Sequence, residues 1–215
     1  AEHCLDANVA NWVFRFNWNS PTCATTTNGP MNQSVSGFTL LASSAGSDVA
    51  LLQLNNTPPA SYNVVYTGWD KSTTPATSAT AIHHPSGDIK KISFENQAVS
   101  SQSYNGAQCW KVAAWDDGTT EGGSSGSGLW NQNGLLVGQL FGGQASCDFN
   151  VNDFYGKFST SYPLLDEWLG TCGNTLQGYP LLNTGIDDVL TDGAVQLVPN
   201  PTTGVVSVTL PVGVG

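Results

Sequence analysis

Charge is what this 215-residue chain has least of: 10% of its residues are Asp, Glu, Lys or Arg, where an ordinary domain carries about a quarter. Cations are scarcest, six Lys and Arg against 16 Asp and Glu, giving a net charge of −10. Nucleic-acid binding needs clustered cations that displace counterions from phosphate, so that class of function is excluded. A cationic ligand is compatible with the balance. No apolar run approaches the length of a bilayer span. Methionine occurs once, at Met31, and no basic-then-apolar leader precedes the opening Ala-Glu-His-Cys. The last residues, VSVTLPVGVG, stop inside what reads as a strand, so the chain reads as an internal piece of a longer precursor. The five cysteines, Cys4, Cys23, Cys109, Cys147 and Cys172, lack any C-x-x-C spacing, which argues against a zinc site. In this composition they point to disulfides. Five is odd, so at least one is free or has its partner elsewhere.

Glycine is plentiful, at 24 residues, alongside many Ser, Thr and Asn. Such chains fold as β-rich extracellular proteins whose turns need Gly and Asn. VFRFNW, FTLLAS, DVALLQL, NVVYTGW, IKKISF, CWKVAAW and GLLVGQLFGG read as strands. NSPTCATTTNGP, NNTPPASYN and DKSTTPATS read as loops. The spacing predicts one helix, Ser161 to Gly170, with Leu164, Leu165 and Trp168 on one face and Gly170 as the stop. Strands ending in a helix imply an all-β, closed or sandwiched fold. After Cys172 periodicity fades, and VQLVPNPTTGVVSVTL then starts a new alternation. The expected organisation is a domain over 1–172, a linker over 173–192 and a partial β-sandwich tail over 193–215.

Chemistry concentrates in TEGGSSGSGLW, residues 120 to 130. Two serines among glycines make either a flexible loop or a tight turn exposing one nucleophilic hydroxyl. A serine nucleophile needs a base and an acid. His83 and His84, adjacent in AIHHPSGD, read as structural. His3 lies in A-E-H-C, and Asp48 opens the strand DVALLQL, where it is either a strand cap or a buried acid orienting an imidazole. His3, Asp48 and Ser125 occur in the order and close to the spacing of a chymotrypsin-type double β-barrel.

A-E-H-C resembles the T-A-x-H-C signature of trypsin-like proteases, and GGSSGSGL resembles the serine loop of bacterial lysyl endopeptidases. The resemblance to that family continues through NNTPPASYNVVYTGWD, AIHHPSGDIKKIS, LLVGQLFGG and NDFYGKF, covering roughly residues 1 to 170. It implies a double β-barrel whose first barrel is incomplete, and a Ser125 nucleophile in preference to Ser124. It also implies a His3 base oriented by Asp48, and an oxyanion hole from the N–H groups of Gly123 and Ser125. Leu140, Phe141 and Gly142 would line the specificity pocket, with Asp153 as the lysine-binding carboxylate and Asp148 as its rival. The family carries histidine where this chain has Phe141, and its 147–153 segment is longer, so some acceptance of arginine is expected. Cys4, Cys23 and Cys147 match half-cystines with partners upstream, leaving Cys109 to pair with Cys172. The tail resembles the start of a type IX secretion C-terminal sorting domain through Val198-Pro199-Asn200-Pro201.

The resulting expectation is a secreted or surface serine endopeptidase, cleaving after lysine in protein or peptide substrates and needing no cofactor and no metal. The tail would engage secretion machinery, and the 215-residue piece alone would have little activity. The competing reading is a protease-fold surface protein without activity that only binds.

Overall fold

Turn-separated strands organise the protein, seen here in a computed structural model that describes residues 1–5, 9–22, 28–170, 173–179, 196–198 and 207–209. The chain forms two units, Ala1–Tyr179 and Pro180–Gly215. In the first unit, β1 (Val13–Arg15) pairs with β2 (Ser34–Ser36), and β3 (Phe38–Ser44) pairs with β4 (Val49–Leu54) as a hairpin. The first barrel is thus represented, among the described residues, by two separate two-stranded ladders.

The larger sheet runs in the order β7 (Lys91–Glu95), β6 (Ala79–His83), β10 (Gly128–Asn131), β11 (Leu136–Gly143), β12 (Val151–Lys157), β9 (Ala107–Ala114), β8 (Ser100–Tyr104). Its two end strands, β7 and β8, are consecutive in the chain and joined by residues 96–99. A connection that short returns the ends of the ladder to one another, so the sheet curls around its own core. That core is Ala79, Ala81, Val99, Trp110, Val112, Trp115, Leu129, Val137, Leu140 and Tyr155. β5 (Trp69–Asp70) joins the β11 side and pairs with β13 (Thr175–Leu176). A second cluster of Ala42, Val49, Trp69, Phe158, Tyr162 and Leu165 fastens the β3–β4 hairpin to the helix α1 (Phe158–Leu169).

The all-β expectation with one short helix holds. The helix differs in its buried face, which is Phe158, Ser161, Tyr162 and Leu165, while Leu164 and Trp168 are exposed. It begins three residues earlier than expected, and the rotation follows from Phe158 and Tyr162 packing against Trp69. Gly170 ends it as expected, with φ +78° and its N–H bonded to the Asp166 carbonyl. NVVYTGW is mostly loop; only Trp69 in it belongs to a strand, and Val65 and Tyr66 are exposed. Residues 173–179, expected to start a linker, remain with the first unit: β13 pairs with β5 and Tyr179 bridges Tyr66. In the second unit, β14 (Gln196–Val198) pairs antiparallel with β15 (Ser207–Thr209); Pro199, Asn200 and Pro201 lie outside the described residues.

Candidate active site

The β3–β4 turn, residues 45–48, is wedged into the larger sheet. Its Ser47 carbonyl accepts a hydrogen bond from Gln139 Nε2 on β11 (2.6 Å), and its Ser47 hydroxyl meets that of Ser161 on α1 (2.8 Å). The Gly46 carbonyl accepts the N–H of Gln108 on β9 (2.9 Å). β12 contributes the space: a Cβ on Gly156 would stand 1.8 Å from the Ser47 carbonyl oxygen, so only glycine admits the turn. The wedge holds Asp48 at a positive φ of 54°, 1% exposed. A left-handed aspartate is uncommon and costs energy that the surrounding contacts must offset.

Asp48 grips His3 at two points. Its Oδ1 accepts the His3 backbone N–H at 2.8 Å, and its Oδ2 lies 2.8 Å from Nδ1. The Asp48 carbonyl accepts the Glu2 N–H at 2.9 Å as well. A carboxylate only accepts, so Nδ1 carries the ring proton and the neutral imidazole presents Nε2 as a lone pair. Phe141 stacks on the ring, centroids 5.3 Å apart and planes 23° apart. The cause lies in β11, whose register with β12 shifts between Leu140 and Gly142 and leaves Phe141 unpaired. A bulge of this kind re-aims one side chain.

The serine turn approaches the same place. A Cβ on Gly126 would stand 3.1 Å from the Ala1 nitrogen, two residues before His3. The Gly126 N–H donates to the Leu140 carbonyl, next to the phenyl ring that covers the imidazole (2.8 Å). Ser125 between them is exposed, whereas Ser124 is buried with its hydroxyl 3.0 Å from His83 Nδ1. Gly123 has φ +91°, a region that side chains rarely adopt. Among the described residues, the N–H groups of Gly123 and Ser125 have no acceptor. Nor does Ser125 Oγ bond His3; Nε2 lies 3.6 Å from Cys4 Sγ. The structure therefore joins His3 to Asp48 and brings the Ser125 turn alongside without a hydrogen bond to the ring. Such bonds are often long in a free enzyme.

The specificity residues are arranged differently from expectation. Leu140 is buried in the core, its N–H donates to Ser127 and its carbonyl accepts from Gly126, so neither side chain nor backbone is open to a substrate. Phe141 covers His3, and Gly142 pairs with Phe154 in the sheet. An open cavity of about 470 Å³ is lined by Gly118, Thr119, Cys147, Asp148 and Asn150. Asp148 belongs to this cavity. Asp153 is absent from its lining and 1% exposed; Oδ2 accepts from Trp115 Nε1 (2.8 Å) and Thr120 Oγ1 (2.6 Å). Burial pushes its pKa up, against the pull of those hydrogen bonds and of one from the Ala145 backbone.

The cysteine pairing needs correction. Cys109 is a free thiol, fully buried with Ala107 and Phe154, and burial raises its pKa to about 11. It sits on the face of β9 opposite Trp110 and Val112, in a separate small cluster outside the main core. Cys172 lies outside the described residues, as does Cys23. Cys147 is an exposed free thiol.

A β-fold that clamps a histidine to a buried aspartate beside a serine–glycine turn has the parts of a nucleophile-and-base site. The chain belongs to the lysyl endopeptidase family: the lysyl endopeptidase C-terminal domain matches residues 1–156. A lysyl endopeptidase of Pseudomonas aeruginosa is 33% identical over 183 residues, covering 78% of this chain and 39% of that protein. The chain thus spans about two fifths of the length of that relative. Among solved structures, the active form of the Rv3671c protease of M. tuberculosis is similar at 17% identity and a TM-score of 0.46, covering 66% of this chain and 62% of that one. The MamO protease domain of Magnetospirillum magneticum is similar at 14% identity and a TM-score of 0.40, covering 62% and 68%.

Proposed function

We propose that the protein is a serine endopeptidase, exported from the cell, that cleaves on the carboxyl side of lysine. The observation that carries this reading is the two-point clamp of His3 by buried Asp48, which fixes one tautomer and aims Nε2. Ser125 Oγ attacks the substrate carbonyl carbon while its proton passes to His3 Nε2. The resulting oxyanion takes the two N–H groups of Gly123 and Ser125, worth about 3–4 kcal/mol apiece in the transition state. The imidazolium, stabilised by Asp48, then protonates the leaving amine as the C–N bond breaks. Water repeats the sequence on the ester, with His3 as base, and releases Ser125.

Lysine recognition rests on a carboxylate near the cavity. Asp153 is the favoured group: it is buried, no ion pair reaches it among the described residues, and its partner Thr120 adjoins the cavity-lining Thr119. A substrate ammonium would relieve that uncompensated charge. Asp148 stands in the cavity wall as the other acid. The similarity to a lysyl endopeptidase of Pseudomonas aeruginosa supports the lysine preference. Low charge and abundant glycine support export, and the tail is proposed as a sorting module that engages the secretion machinery.

A fluorescent phosphonylating reagent for active-site serines tests the reading on the protein as its host makes it. Labelling should map to Ser125 and disappear in Ser125→Ala, together with hydrolysis of lysyl peptides. An unlabelled Ser125 in folded protein would leave the binding-module reading in possession.

A further inference from the structure

Behind Ser125 lies a buried row of three polar side chains from three different elements. Ser93 comes from β7, His83 from the end of β6 and Ser124 from the serine turn, each at most 1% exposed. His83 Nε2 is 3.0 Å from Ser93 Oγ, and Nδ1 is 3.0 Å from Ser124 Oγ. We propose that His83 is a positioning residue: through Ser124 it fixes the turn that aims the Ser125 hydroxyl and the Gly123 and Ser125 N–H groups toward His3. The inference rests on the reading of Ser125 as nucleophile.

Ser124 is the pivot of that turn. Its N–H donates to the Glu121 carbonyl (3.0 Å), and its own carbonyl accepts from Ser127 (3.1 Å), so one turn closes before Ser125 and another closes over it. The Ser124 hydroxyl accepts weakly from the Glu121 N–H at 3.4 Å, leaving its proton for an acceptor. His83 supplies one if Nδ1 is the bare nitrogen and Nε2–H donates to Ser93, so a single neutral tautomer gives each member of the row a partner. The surroundings favour that neutral ring: burial, then the neighbouring cationic positions His84 and Lys91, lower the His83 pKa to about 4. Lys91 is the cross-strand partner of His83.

The far end of the row reaches the pocket. A Cβ on Gly118 would stand 2.8 Å from Ser93 Oγ, and Gly118 lines the cavity. The turn after His83 adds a second tie, Ser86 N–H to the Gly122 carbonyl at 2.7 Å. One imidazole therefore links a wall of the cavity to the turn that carries the nucleophile. A buried polar row that is fully satisfied specifies direction as well as position, which an apolar filler of the same volume does not.

The test uses Ser124→Ala, His83→Gln and the double variant in the protein as its host makes it. The readouts are the phosphonylation rate at Ser125, kcat and KM on a lysyl peptide, and the melting temperature. Labelling and kcat should fall about tenfold or more in each single variant, with KM within about twofold, because the loss lies in aiming the nucleophile. The double variant should be no slower than the slower single one, since both cut the same link. Native labelling rates in folded single variants, with only a lower melting temperature, would overturn the proposal; so would losses that multiply. Should His83→Gln not fold, Ser124→Ala, which deletes one hydroxyl, decides by the same rates. Ser125→Ala separates the two claims: persistent labelling in it refutes the nucleophile assignment, whereas its loss beside unaffected Ser124→Ala refutes this one.

Discussion

Replacing Gly156 by alanine should damage the active site from a distance. The new Cβ would stand 1.8 Å from the Ser47 carbonyl oxygen and 2.5 Å from Gln139 Nε2. The Gln139 side chain can turn away, but the Ser47 carbonyl is backbone held by the wedge and has to retreat by about 1.2 Å to reach a contact that close packing tolerates. The retreat breaks the Gln139–Ser47 bond and strains the Ser47–Ser161 bond, both next to Asp48. Losing one buried hydrogen bond and leaving its partners unsatisfied costs about 2–4 kcal/mol of stability. An ångström of displacement in the acid that orients the base costs about a hundredfold in rate. Urea unfolding and kcat/KM on a lysyl peptide measure the two effects. Gly134→Ala is the control: no atom lies within 4 Å of its Cβ position, and its positive φ of 69° adds only local backbone strain, so it should cost about 1 kcal/mol and no activity. If Gly156→Ala keeps native stability and rate, the wedge does not position Asp48.

Asp48→Asn should leave the backbone bond to His3 but put an amide donor opposite Nδ1, favouring the wrong tautomer and lowering kcat by about 10⁴. Asp153→Asn should sharply reduce cleavage after lysine while Asp148→Asn changes it less; the reverse order would move the recognition to the cavity wall. Stability should fall as pH drops from about 6.5 toward about 4, because the unfolded chain protonates His83 at an ordinary pKa while the folded protein resists until about 4. Urea unfolding at pH 7 and pH 4.5 should show this contribution missing in folded His83→Gln. Cys109 should resist iodoacetamide at pH 8 in the folded state and react once unfolded, given its burial and its pKa of about 11. Recovery of a Cys109–Cys172 disulfide peptide would contradict the free thiol.

Strands were legible where a short apolar run stands between turn signals, as in FTLLAS and DVALLQL. They were hidden elsewhere for separate reasons. β6 buries Ala79, Ala81 and His83, two of them too small to signal a core face. β8 is a polar edge strand, and β12 buries four consecutive residues, Asp153 to Gly156, which erases the period. The serine turn was legible because glycines at positive φ mark a conformation that other residues resist. Residue type alone identified His3 and Asp48 as candidates. The clamp between them required the hairpin turn to enter the larger sheet.

Composition and motif by themselves determined the β-class and put one serine, one histidine and one aspartate forward as candidates, because these depend on which groups are present and in what order. Tertiary structure decided which serine is buried, why Phe141 faces the imidazole, and that Cys109 stays unpaired. It also placed Asp148 in the cavity wall and left Asp153 buried outside that lining. Each of these is a matter of a few ångströms between residues distant in the chain; the bulge at Phe141 and the missing Cβ of Gly156 set those around His3 and Asp48. Spacing along a chain carries no record of such distances, since they arise only when separately formed ladders pack together.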